Sequence, residues 1–266
     1  VKTQLKEIIK KLIPQILMSQ PGLLKRDRKR IADLKDKFKG QRCFILGNGP
    51  SLNEMDLNLL KDEKSFAVNS IYYKTREMGY KPTFFVAEDK HVILDNLKEL
   101  NEYECEYMFF PAIFKGKVKK GVNRFFANLN YSFYVSSNPY FEKSRFSFEC
   151  DKQIYCGQSV TIVNLQLAYY MGFTEVYLIG MDFSYHIPET VKVSGNVLES
   201  TEDDVNHFHP NYFGKGKKWH DPKLDNVLQS YKLAKKTFEK DGRKIYNATK
   251  GGKLELFDRV DYTSLF

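Results

Sequence analysis

The sequence lacks most of the features that would place a protein outside the ordinary globular class. Its four cysteines, Cys43, Cys105, Cys150 and Cys156, are scattered over 266 residues without C-x-x-C spacing, which excludes a zinc ribbon and a thioredoxin-like redox pair. Thiols kept reduced in a cytoplasm fit this usage. No stretch approaches the roughly 18 apolar residues needed to span a bilayer. The N-terminus has neither the unbroken apolar run nor the small-residue cleavage site of a signal peptide, so a cytoplasmic protein is expected. Internal repeats and low-complexity tracts are also missing, which excludes solenoids and long flexible linkers.

Aromatic residues are abundant, with 21 Phe and 17 Tyr. With 42% hydrophobic and 28% charged residues, the chain can bury a core without disulfides, as one large α/β domain or as a domain with appendages. The net charge of +9 is unevenly spread: residues 1–40 hold twelve Lys/Arg against four acids, a balance of +8, leaving about +1 for the rest. A nearly neutral body argues against a nucleic-acid partner.

Residues 1–40 read as a basic amphipathic helical extension and 41–266 as an α/β domain. In the first twenty residues Leu5, Ile8, Ile9, Leu12, Ile13, Ile16 and Leu17 recur at helical spacing, with Lys2, Lys6, Lys10 and Lys11 on or beside the other face. Such a stripe packs on the body or on another subunit, or it adsorbs to an anionic membrane surface. Pro21 and Gly22 break the pattern, and a second helix is expected over Leu24 to Phe38. Short apolar strands follow at Cys43–Leu46, Ser65–Val68, Thr83–Ala87, Tyr107–Phe110, Glu175–Ile179 and Lys244–Tyr246. Helical stretches fall at Asn53–Leu60, His91–Leu100, Ser159–Met171 and Pro222–Lys240. This alternation predicts a mostly parallel, doubly wound sheet whose ligand lies beyond the carboxyl ends of the strands. Residues 184–219 have little periodicity and read as a long lid.

Several polar groups fall at those strand ends. Gly47-Asn48-Gly49-Pro50-Ser51-Leu52 follows the first strand. Its glycines would let the backbone approach an anion, Ser51 would cap the next helix, and the Asn48 amide would meet a base, ribose or phosphate. It is neither G-x-G-x-x-G nor a Walker loop. Asn69 ends the second strand, and Glu88 and Asp89 the third. Gly157, Gln158 and Ser159 open a helix. Asp182, after Ile179-Gly180-Met181, suits a ribose hydroxyl or proton transfer, or a helix cap. His220, at the end of the lid, is placed to act as a base. His207 and His209 would face one side of a strand and invite a metal, but no third ligand stands at a familiar spacing, and no metal site is assigned.

GNGPSL after the first strand, the polar strand ends and the run SVTIVNLQLAYYMGFTEVYLIGMDFSY resemble the CST-type bacterial sialyltransferases of glycosyltransferase family 42. They resemble more closely the chemically mixed 6-hydroxymethylpterin diphosphokinase MptE-like group, which includes the flagellin-modifying motility associated factors. The resemblance covers about Arg42 to Tyr262. It implies a Rossmann-like, GT-A-variant fold and transfer of a sialic-acid-like ulosonate from a CMP-activated donor to a glycan or glycolipid acceptor in surface polysaccharide assembly, with no obligatory cofactor. It also implies His220 as base, Asp182 as the G-x-D-F carboxylate, Asn48 and Asn69 as nucleotide contacts, and Gly157 to Ser159 as the donor-binding helix start. Tyr185 and Tyr212 are implied as candidates for steadying the phosphate. A family asparagine is replaced by Glu88 or Asp89, so a CMP-ulosonate other than sialic acid fits as well. Two further readings stand beside this one. A diphosphokinase would move pyrophosphate from ATP, with Glu88, Asp89 and Asp182 on magnesium and Lys215, Lys217 and Lys218 near the phosphates. A non-catalytic glycan-assembly protein would keep only the fold.

Overall fold

The computed structural model describes residues 21–194 and 197–266. Helix α1 (Pro21–Ala32) leads into strands β1 (Arg42–Leu46), β2 (Ser65–Val68), β3 (Phe84–Val86), β4 (Tyr107–Pro111) and β5 (Arg124–Ala127). Short strands β6 (Leu129–Asn130) and β7 (Ile154–Tyr155) pair with each other, and β8 (Glu175–Ile179) returns to the main sheet. Strands β9 (Lys192–Ser194), β10 (Val197–Glu199) and β11 (Lys218–His220) form a small antiparallel sheet; β12 (Lys244–Asn247) and β13 (Asp258–Arg259) complete the large one.

The large sheet has the order β5-β4-β3-β2-β1-β8-β12-β13, and every neighbouring pair is parallel. Parallel strands buried on both faces need apolar residues at successive positions, which explains the unbroken runs Cys43–Leu46 and Ser65–Val68. Cys43 and Ile45 point into one core, shared with α5 (Val160–Tyr170) and α6 (Leu224–Lys240). Phe44 and Leu46 point into the other, with Leu52, Leu57 and Leu60 and the helices α2 (Tyr72–Met78), α3 (Lys90–Asp95) and α4 (Leu97–Glu102). Helix α5 is buried almost all round, including Asn164 and Gln166, so its sequence shows no polar face.

Chain order reverses at β1. Strands β2 to β5 run outward on one side, and β8, which is distant in sequence, lies on the other. Five pairs from Arg42↔Glu175 to Leu46↔Ile179 hold β1 and β8 level, so the loops after them leave the sheet side by side. Such a switch point is where an open α/β sheet forms its crevice.

Several sequence expectations change. The helix expected over Asn53–Leu60 is two 3-10 turns, Pro50–Glu54 and Leu57–Leu60, the second capped by the Asp56 side chain, which accepts from the Asn58 amide. The helix expected over His91–Leu100 is split between α3 and α4 at Asn96, whose Nδ2 donates to the Val92 carbonyl at 2.8 Å. The helix expected over Leu24–Phe38 ends at Ala32 and continues as turns. Ile31, Leu34 and Phe38 there belong to the same core as Cys43 and Ile45 of β1. The amphipathic segment 1–20 lies outside the described residues. Among those, no helix is long and apolar enough to cross a membrane. The lid over 184–219 holds the small antiparallel sheet and buries Phe208, Tyr212 and Trp219. It docks on the first loop, where the Phe208 amide donates to the Asn48 carbonyl at 2.9 Å.

Candidate active site

A cleft of about 620 Å³ opens beyond the carboxyl ends of β1, β2, β3 and β8. Gly47, Asn48, Gly49, Asn69, Glu88, Asp89, Gln158, Ser159, Asp182, Tyr185, Tyr212 and His220 all line it. Pro50, Ser51 and Gly157 do not.

The glycine turn is shaped by its neighbour loop. The Gly47 amide donates to the Ile179 carbonyl at 2.7 Å and the Gly49 amide to the Gly180 carbonyl at 3.0 Å. Ser51 donates from its amide and its hydroxyl to Asp182, at 3.3 and 2.7 Å. A Cβ on Gly47 would lie 2.3 Å from the Gly180 carbonyl oxygen, and one on Gly49 would lie 1.8 Å from Asp182 Oδ2. Glycine is needed here because two loops touch, and the amides expected to cradle an anion are spent on that contact. Ser51 therefore clasps Asp182 and caps nothing, while exposed Pro50 opens a 3-10 turn. Asp182 joins the two loops, so its carboxylate is already engaged. Gly157 gives room to Ser230 and Ile162, which a Cβ would meet at 2.8 and 3.0 Å.

Asn48 and Asn69 line the same cleft, as their adjacent strand ends require. Asn48 Nδ2 donates to the Val68 carbonyl at 3.0 Å and to the Tyr212 hydroxyl at 2.8 Å. Its donor capacity is used internally, and Oδ1 is a buried acceptor without a partner. Asn69 Oδ1 is likewise buried and unpartnered, on backbone held at φ +51°. Buried acceptors left unpaired are costly, and two at adjacent strand ends suit a ligand that brings donors, such as an amine or hydroxyl.

His220 ends β11, whose pairing with β10 sets Val197 opposite it. Its Nδ1 lies 2.9 Å from Asp89 Oδ2, while Asp89 Oδ1 accepts from the amides of His91 and Val92 at 2.7 and 3.0 Å. Burial opposes ionisation of Asp89, but the bonds from His220 and these amides prevail and hold its carboxyl below the usual range. An ionised carboxylate only accepts, so Nδ1 carries a proton, and in the neutral ring Nε2 keeps its lone pair. The bond to Asp89 raises the His220 pKa, against the opposing effect of burial. Glu88, beside this pair, is buried, and its pKa is pushed up to about 7 by burial, against the bonds from Cys156 and Tyr134. The Tyr134 hydroxyl donates to its Oε1 at 3.1 Å.

The remaining histidines of the lid part company. His207 lines the cleft, with Nδ1 at 2.7 Å from Asp204 and Nε2 at 3.2 Å from the Tyr185 hydroxyl. Its ring is stacked on Tyr212 at 4.0 Å. His209 stacks instead on Tyr73 at 4.4 Å. The two occupy a turn and not a strand, so the shared metal-facing side expected of them does not form. Gln158, at φ +71°, donates from Nε2 to the Asp221 carbonyl at 3.0 Å, tying the start of α5 to the residue after His220. Ser159 caps α5 by accepting from the Thr161 amide.

Sequence reasoning missed Tyr131, Phe133, Tyr134, Phe141, Glu142 and Lys223, all of which line the cleft. The one signal available was the aromatic run Tyr131-Ser132-Phe133-Tyr134 after a short strand.

A family model described as 6-hydroxymethylpterin diphosphokinase MptE-like matches residues 17–188. No protein of curated function matches the chain. Among solved structures, the MAf glycosyltransferase from Magnetospirillum magneticum AMB-1 aligns with a TM-score of 0.49 and 15% identity, over 92% of this chain and 39% of that one. The chain thus spans about two fifths of the length of that protein. The family match takes in more than half of the chain, including the glycine turn, the strand ends at Asn69 and Asp89, the start of α5 and Asp182; the chain belongs to the 6-hydroxymethylpterin diphosphokinase MptE-like family.

Proposed function

We propose that this chain is a glycosyltransferase that moves an ulosonate sugar from a CMP-activated donor to a glycan acceptor at the cytoplasmic side of a membrane. The observation that carries the reading is the Asp89–His220 pair on the wall of the cleft that also holds the unpartnered acceptors of Asn48 and Asn69. His220 Nε2 takes the proton of the acceptor hydroxyl as its oxygen bonds to the anomeric carbon, and the bond from that carbon to the CMP phosphate breaks. A phosphate monoester leaves without strong acid help, so a base and a positioned donor suffice. Asp89 and Asp182 act as positioning residues, Asp89 by fixing the His220 tautomer and Asp182 by joining the loops that carry Asn48. Tyr212 holds the Asn48 amide, and Tyr185 holds His207.

The family description favours a second reading, in which the same base activates an alcohol that attacks ATP. Its magnesium would lie among Glu88, Asp89 and Asp182. Asp89 and Asp182 are already bonded to His220 and Ser51, and among the described residues no group of three or more His, Cys, Asp or Glu is placed to hold a metal ion.

A thermal-shift panel of CMP, CDP, UDP, GDP, ATP and GTP, each with and without magnesium, separates the two. Stabilisation by CMP without magnesium is expected. Stabilisation only by ATP or GTP with magnesium would replace this reading with the diphosphokinase. Asn48→Ala is expected to weaken CMP by about tenfold in calorimetry, the value of one hydrogen bond of about 1.4 kcal/mol. Unchanged affinity would remove Asn48 from the donor site.

A further inference from the structure

One wall of the cleft, beside Glu88 and His220, is aromatic and plays no part in donor binding as proposed above. It is built by residues 131–142. A 3-10 turn at Tyr131–Tyr134 is capped by the Asn130 side chain, which accepts from the Ser132 amide at 2.9 Å. The chain then doubles back, and the Glu142 amide donates to the Phe133 carbonyl at 2.9 Å. Phe133, Tyr134 and Phe141 are thereby brought to the cleft, with Tyr134 43% and Phe141 36% exposed. Exposed rings gathered on a concave surface mark a contact site more often than scattered surface ones do.

The rim of this shelf is polar and set by strained backbone. Lys223 Nζ donates to Glu142 Oε1 at 2.7 Å, and both residues line the cleft. Glu142 has φ +51° and Lys223 φ +40°, a region that side-chain-bearing residues seldom adopt and that clusters at functional sites. Lys223 follows His220 by three residues on a turn in which its amide donates to Asp221 Oδ1 at 3.1 Å. The base and the rim cation are therefore carried by one short segment.

We propose that this shelf is the acceptor subsite and that it takes a saccharide, a conclusion that rests on the transferase reading above. The C–H face of a pyranose ring stacks on Phe141 and Tyr134, its ring hydroxyls reach Glu142 and Lys223, and the attacking hydroxyl is presented to His220 Nε2. A sugar is favoured over a flat heteroaromatic alcohol because, among the described residues, no parallel partner ring stands about Tyr134, which meets the buried Phe133 at 81° and Tyr131 at 37°. A single open face with a charged rim suits a puckered ring with hydroxyls at its edge.

The test uses the full chain, with lactose, N-acetyllactosamine and maltotriose as probes, 6-hydroxymethylpterin as the planar comparison, and saturation-transfer NMR as the measure of binding. CMP affinity is followed separately by calorimetry. At least one saccharide is expected to bind, Phe141→Ala to weaken it by about tenfold, and Phe141→Trp to restore it, with CMP affinity and melting temperature unchanged in both variants. Saccharide binding insensitive to Phe141→Ala, or no binding of any of the three sugars, would overturn the assignment. So would binding of the pterin, in place of the sugars, that is lost in Phe141→Ala. Failure of CMP to bind the unmodified protein, with the saccharide result intact, would remove the donor reading and leave the shelf standing.

Discussion

His220→Ala is expected to lower the rate of sugar transfer by about 100- to 10,000-fold, the usual contribution of a positioned general base, while CMP affinity changes by less than about twofold. The separation follows from geometry. His220 bonds to Asp89 through Nδ1 and, as the proposed base, would offer Nε2 to an incoming hydroxyl, whereas the acceptors proposed for the nucleotide belong to Asn48 and Asn69. The reaction also acquires a pH dependence whose sign is fixed. Only neutral imidazole accepts a proton, and Asp89 raises the His220 pKa from its ordinary 6.5. The rate should therefore rise with pH and reach half its maximum above 6.5. Asp89→Asn should move that limb to lower pH, because the anion that favours imidazolium is gone. It should also lower the plateau, since an amide can donate to Nδ1 and stabilise the wrong tautomer. Steady-state rates across pH 5–9 for the parent and the two variants check both statements. Undiminished turnover in His220→Ala would remove the base assignment, and an unmoved limb in Asp89→Asn would remove the pairing.

How much of this was legible in the sequence depended on how locally each element is determined. Strands β1, β2 and β8 declared themselves because burial on both faces demands consecutive apolar residues, and the register between them then placed Gly47, Asn69 and Asp182 at one edge. Strand β5 escaped notice because it opens on Arg124. That side chain is fully buried only through bonds to the carbonyls of Leu100, Asn101 and Tyr103 and to Glu104, which lie about twenty residues earlier. Such long-range satisfaction leaves no local mark. The lid strands were hidden for a similar reason, since Lys192–Ser194 and Lys218–His220 are mostly exposed and owe their conformation to pairing with β10.

The site shows the same division. Strand-end position was enough to select Asn48, Asn69 and Asp89, because topology alone carries those residues to the crevice, and His220 was selected by its place between the lid and the next helix. It was not enough to assign what each one does. The pairing of Asp89 with His220 joins residues 131 positions apart, and the Ser51–Asp182 clasp joins another pair at the same separation. Spacing offered Ser51 as a helix cap and Asp182 as a ribose contact, a proton carrier or a cap; contact geometry joins the two across one loop junction. The aromatic shelf was missed because its rings come from a segment without helical or strand period, folded back by backbone bonds that include the one from the Glu142 amide to the Phe133 carbonyl.

That loop junction supports a second large effect, in Gly47→Ala. Gly47 does not use a left-handed conformation, so the substitution is a question of space alone. The new Cβ would sit 2.3 Å from the Gly180 carbonyl oxygen, 2.7 Å from Met181 Sδ and 2.9 Å from the Gly180 carbonyl carbon. Met181 can turn away, but the Gly180 backbone is anchored to β8 and cannot move without lengthening the bonds that join Gly47 to Ile179 and Gly49 to Gly180. Overpacking of this kind costs about 1–3 kcal/mol, which for a chain of this size lowers the melting temperature by roughly 2–6 °C. Gly116→Ala is the matching control, since a Cβ there meets nothing within 4 Å, and its stability should stay within about 0.5 kcal/mol of the parent. The damage should extend to binding. Asn48 lies between the two displaced glycines, and a shift of the turn breaks its bonds to the Val68 carbonyl and the Tyr212 hydroxyl. A loss of CMP affinity of about tenfold or more is therefore expected together with the lower melting temperature, since a displaced first-strand turn forfeits at least the one hydrogen bond attributed to Asn48. Differential scanning calorimetry with and without CMP measures both effects on one sample. A Gly47→Ala protein that melts with the parent and gains the same stabilisation from CMP would show that the loops part without cost and that the junction does not position the donor site.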